Sequence, residues 1–130
     1  MSVTVAATIP ITCQPTGVVD NWPAQILTIN AVYASHTWNK KSADSLVLAA
    51  LTVNQALDMA GITKGRFLFV QSQLPGVSIR VTYTGGVLLV KYVCVDPIAL
   101  ITCTTDGTEF TAVDVSAVSG GGIEYLIAGD

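Results

Sequence analysis

Between positions 77 and 84 apolar and polar residues alternate strictly, with Val77, Ile79, Val81 and Tyr83 set against Ser78, Arg80, Thr82 and Thr84. A side-chain period of two belongs to a strand with one face on a core and one on water, and a helix cannot bury such a pattern. The segment before it, 66–71, is apolar at successive positions, as in a strand covered on both faces. Leu74-Pro75-Gly76 between them is turn chemistry, because proline presets φ and glycine accepts φ > 0. Further along, Thr84-Gly85-Gly86 turns into a strand over 87–95, and Asp96-Pro97 turns again into 98–105. Asp106-Gly107 carries a two-residue hairpin signal ahead of 108–118, where Val113 and Val115 share a face. Ser119-Gly120-Gly121-Gly122 precedes a last strand over 123–128. The pattern predicts an antiparallel meander for this half of the chain.

The first half is less regular. Segments 2–9 and 25–33 read as strands, the second with Leu27, Ile29 and Tyr33 on one face. Pro10, Pro15, Gly17 and Pro23 punctuate a long connection between them, which fits a Greek-key or jelly-roll crossover. Another strand is expected over 45–51. Thr52-Val53-Asn54-Gln55 then matches a capping box, and Val53, Ala56, Leu57 and Ala60 fall at helical spacing before Gly61. This predicts a short helix over 53–60, with a strand ending at Met59 as the alternative. About eight strands separated by turn signals every 8–12 residues specify an all-β, antiparallel, jelly-roll-like β-sandwich. Residues 1–130 are read as one domain.

Composition bears on function. The chain is 51% hydrophobic but only 12% charged, against roughly 25% in an average soluble domain. A spanning helix needs about 20 consecutive apolar residues; the run from Leu46 to Leu51 stops at Thr52, and the one over 87–95 is broken by Lys91. The apolar excess therefore predicts a subunit covered by copies of itself or by a larger assembly. The net charge is -3, and the six basic residues, Lys40, Lys41, Lys64, Arg66, Arg80 and Lys91, form no dense patch. That argues against nucleic acid and against an anionic membrane surface as partners. Residues 1–11 lack a basic and then apolar secretory pattern, so synthesis in the cytoplasm is expected. Cys13, Cys94 and Cys103 are odd in number and lack metal-ligand spacing. They read as buried free thiols, with a Cys94–Cys103 bridge as the alternative.

No residue pattern names a reaction, a cofactor or a metal. His36 is the only histidine, and in Ala34-Ser35-His36-Thr37-Trp38 it reads as a loop residue after a strand. Asp44, Asp58, Asp96, Asp106, Glu109 and Asp114 match no calcium-loop spacing, and Asp96 and Asp106 already have turn roles. The glycine pair and triplet precede no helix and are turns. Trp22 and Trp38 fall in apparent loops. Each either plugs an end of the sandwich, anchors a protein contact, or stacks on a sugar.

Two segments, Lys64-Gly65-Arg66-Phe67-Leu68-Phe69-Val70-Gln71-Ser72 and Val77-Ser78-Ile79-Arg80-Val81-Thr82, joined through Pro75-Gly76, resemble strands of small β-sandwich virion proteins of tailed bacteriophages. The resemblance is to the accessory proteins that decorate or cement the head. The closing Ile123-Glu124-Tyr125-Leu126-Ile127-Ala128-Gly129-Asp130 has the same texture. The resemblance implies a non-enzymatic β-sandwich, commonly trimeric, that sits on a capsid lattice and contacts the major capsid protein. Phage tail and fibre subunits share that texture, and a carbohydrate-binding module using Trp22 or Trp38 is the reading from another class.

Overall fold

The computed structural model describes residues 2–13, 27–84, 89–103 and 105–130. Every regular element among them is a strand: β1 (Val3–Cys13), β2 (Leu27–Trp38), β3 (Lys40–Leu48), β4 (Thr52–Ala56), β5 (Gly65–Gln71), β6 (Val77–Tyr83), β7 (Leu89–Val95), β8 (Ile98–Thr102), β9 (Phe110–Ala117) and β10 (Gly121–Gly129). Contacts group them into two compact units, Thr4–Thr37 and the remainder. In the smaller unit β1 and β2 form a two-stranded sheet, in which the Thr4 and Thr37 hydroxyls lie 3.1 Å apart.

The larger unit is a sandwich of two antiparallel four-stranded sheets. One runs β3-β10-β5-β8 and the other β4-β9-β6-β7. Among the described residues, one ladder pair joins them, Gly65 with Phe110. Successive strands from β3 to β6 change sheet at every step, as do β7 to β8, β8 to β9 and β9 to β10. Within the described residues of this unit, β6 and β7 are the consecutive strands that pair as a hairpin. This order is that of an eight-stranded jelly roll built from two Greek keys.

Period-two alternation puts the core between the sheets. Leu68 and Val70 on β5 lie beside Ile127 and Tyr125 on β10. Across from them stand Val77, Ile79 and Val81 of β6, and Val113 and Val115 of β9. These side chains are buried, as are Leu48, Val95, Phe110 and Ile123. Each such aliphatic side chain contributes about 1.5–3 kcal/mol on leaving water, which is why the 77–84 alternation settles this region so firmly.

Several expectations need correction. No helix occupies 53–60. Thr52 does not act as a cap, since its hydroxyl donates to Ala49 O at 2.6 Å. Asn54 sits at φ 50 and donates its amide to Ser116 Oγ. The Leu57 amide reaches Val113 O at 2.9 Å. Pairing with β9 thus outcompetes a helix here.

The C-terminal half is no meander. Asp106-Gly107, with Gly107 at φ 88, links β8 to β9 in the opposite sheet and closes no hairpin. A glycine–aspartate pair fixes a local reversal, but the choice of strand partner lies with long-range packing. In the N-terminal half, Pro10 lies inside β1, and β1 pairs with β2 rather than crossing to another sheet. Residues 14–26, which carry Pro15, Gly17, Trp22 and Pro23, lie outside the described residues.

Candidate interaction surface

The two sheets present different outer faces. On β4-β9-β6-β7 the outward positions are mostly polar. Arg80 of β6 faces Asp114 of β9 and Tyr92 of β7 in the ladder, and its Nε donates to Asp114 Oδ2 at 2.9 Å. That bond, with the Asp114 charge, holds the Arg80 guanidinium above its ordinary value. Ser78, Ser116 and the exposed Cys94 form the next outward row.

The outer face of β3-β10-β5-β8 is apolar. Phe69, Leu126, Ala43 and Leu100 stand in one cross-strand row, with Phe69 and Leu126 half-buried; in the next, Lys41, Ala128, Phe67 and Thr102 stand together, and Phe67 and Ala128 are already buried. Val47 on the β3 edge is 80% exposed, and Ile98 and Leu100 on β8 are also open to solvent. Gln71 and Glu124 pair in the third row, with Gln71 Nε2 donating to the carboxylate at 2.5 Å. An open groove of about 430 Å³ runs here between Ser45, Val47, Leu74, Gly122 and Glu124. A sheet that is apolar on both faces, as 66–71 predicted, has one face for the core and one for another surface.

At one end of the sandwich the β3–β4 and β9–β10 connections meet, where the Leu51 amide bonds Val118 O. Leu51 is 76% exposed and sits at φ 58, a left-handed conformation costing roughly 1–2 kcal/mol in a residue with a Cβ. Val53 and Val118 beside it are exposed as well.

Charged groups gather elsewhere. Arg66, at the start of β5, is buried and pairs with Glu109 at 3.1 Å and with the exposed Asp106. The Trp38 ring lies 5.5 Å from its guanidinium carbon. Hydrogen bonds from its own amide and from Gly107, together with the Arg66 charge and the Thr84 hydroxyl, hold the Glu109 carboxyl below its usual range against the opposing effect of burial. The Asp106 carboxyl is lowered chiefly by its hydrogen bond to Arg66, which in turn raises the guanidinium. Two carboxylates kept ionised suit an ion-pair cluster; a general acid needs a raised pKa.

The structure places the residues singled out from the sequence as follows. Trp22 lies outside the described residues. Trp38 is the last residue of β2, not a loop residue, and the Arg66 guanidinium lies over its half-buried ring. His36 also lies within β2 rather than in a loop. Cys94 is exposed and Cys103 is buried, and both are free thiols. Burial, then the Glu109 charge, pushes the Cys103 thiol up. Among the described residues no group of three or more His, Cys, Asp or Glu is set to hold a metal ion. The Arg66–Glu109–Asp106–Trp38 cluster could not be read from spacing, because its members come from three separate segments: the end of β2, the start of β5 and the β8–β9 connection. No family model, curated protein or solved structure matches the chain.

Proposed function

We propose that this chain is a non-enzymatic structural subunit of a bacteriophage particle, one that decorates or cements the capsid as a homo-oligomer. The observation that carries this reading is the apolar outer face of β3-β10-β5-β8, from Phe69 and Leu126 to the exposed Val47. Covering apolar area contributes about 25 cal/mol per Å² before the costs of association. With only 12% charged residues, few groups need to be desolvated in the process. The partners are further copies of the chain and the major capsid protein or another virion protein, and its place is the virion. A tail or fibre subunit would use the same face in the same way.

Electron microscopy of the native particle tests the reading: jelly-roll density on the capsid exterior supports it, and density in the tail favours the second placement. A glycan array tests the carbohydrate alternative. Sugar binding lost in Trp22→Ala or Trp38→Ala would replace the structural reading with a lectin-like one.

A further inference from the structure

A jelly roll leaves four strand edges, and an unguarded edge is a template for another chain. Three of them here carry a guard. β8 has five residues and follows Pro97. β4 also has five, with its register broken between Thr52 and Gln55. On β7, Lys91 pairs with the buried Val81 and so points inward, where its Nζ lies 5.2 Å from the Tyr83 ring. The fourth edge, β3, carries charges of both signs, Lys40, Lys41 and Asp44, which repel a generic strand but can pair with one another across two copies. It runs nine residues without proline, in unbroken register with β10, and β10 is its strand partner among the described residues.

We propose that two copies of the chain pair antiparallel through β3, about a two-fold axis centred on Ser42. The inference rests on the homo-oligomer reading and names its contact. A two-fold axis perpendicular to the sheet keeps the same face upward in both strands, so only registers centred on a residue are allowed. Centred on Asp44, the pairing sets two carboxylates directly opposite each other, which destabilises it. Centred on Ala43, it matches Asp44 only with Ser42. Centred on Ser42, Lys40 stands opposite Asp44 of the second copy, Asp44 opposite its Lys40, and Lys41 opposite its Ala43. Both opposite-charge pairs then lie on one face, with Ser42 meeting its own copy between them.

Local hydrogen bonding agrees with that register. The Ser45 amide donates to its neighbour Asp44 Oδ1 at 2.8 Å, so odd-numbered amides on β3 face the free edge. Lys41 and Ala43 are then the residues that exchange backbone hydrogen bonds with the second copy. Lys40–Asp44 and Ser42–Ser42 fall at the closer, non-hydrogen-bonded sites, with Cα atoms about 4.5 Å apart. Lys40 Nζ donates to Gly61 O at 2.7 Å and keeps two further donors for the carboxylate.

The test is native mass spectrometry and sedimentation velocity on the full chain, alongside Lys40→Asp, Asp44→Lys and the double reversal, with circular dichroism as the check on folding. The expected result is an even-numbered oligomer that each single reversal dissociates at least tenfold more readily and the double reversal restores. An oligomer of three copies, or one indifferent to the single reversals, overturns the β3 contact while leaving the homo-oligomer reading intact. A double reversal that stays dissociated overturns the register. A monomeric wild type overturns both.

Discussion

Gly65 pairs with Phe110 where, among the described residues, the two sheets share a ladder, and its missing side chain is occupied space. A Cβ built there would fall onto the Phe110 ring, against Cδ2, Cε2 and Cζ, and that ring is fully buried. Gly65 does not adopt a positive φ, so alanine meets no backbone penalty. On backbone entropy alone Gly65→Ala would stabilise by about 0.4–1 kcal/mol. Overpacking a filled core costs about 1–3 kcal/mol, and a rigid buried ring cannot swing away as a flexible side chain would. Gly65→Ala is therefore destabilising by about 1–2 kcal/mol net. At a urea slope of about 1–3 kcal/mol per M, the midpoint falls by roughly 0.5–1 M. Phe110→Ala costs about 3–5 kcal/mol through the cavity it leaves. In that background the added methyl has room, so Gly65→Ala becomes neutral or stabilising. Urea unfolding of the two single variants and the double gives the coupling energy directly. Strict additivity, or a stabilised Gly65→Ala, would refute the contact between the sheets.

Other outcomes follow from the charges and thiols. Denatured, unreduced protein is expected to show three free thiols; a single reactive thiol would support a bridge. In the native state Cys94 reacts quickly with a thiol reagent and Cys103 slowly, since burial shields it and raises its pKa; equal rates would contradict that placement. Glu109 and Asp106 titrate below their ordinary values of 4.5 and 3.8 in the folded chain. Groups lowered by folding contribute stability that is fully present above those values and is lost as pH falls through them. Urea midpoints are accordingly expected to drop between pH 5 and the acid limit, and to drop less in Asp106→Asn; a flat profile would remove the Arg66 cluster from the account.

Strand existence was legible wherever one face is core and one is not. The alternation over 77–84 became β6 with nearly the expected bounds, and the doubly apolar 66–71 became β5, whose second face is the candidate surface. Pairing was not legible. Asp106-Gly107 reads as a hairpin because local chemistry favours reversal, yet β8 and β9 bury their apolar residues in different sheets. The capping box at Thr52 failed for a similar reason, since a ladder to β9 satisfies Leu57 where a lone helical turn would not. The β3 start at Lys40 was missed because Lys40-Lys41-Ser42 lacks apolar alternation; its order comes from pairing with β10. Trp38 looked like a loop tryptophan because Arg66, the residue it stacks on, lies far along the chain.

The central claim is that the apolar excess of this chain is spent on covering itself with further copies. Size-exclusion chromatography coupled to light scattering, run at low and at high salt, tests it most directly. The account predicts a mass of at least two copies of the 13.6 kDa chain, with contacts through the apolar face retained at high salt while the Lys40–Asp44 pairs at β3 are screened. A well-behaved monomer under both conditions would contradict it.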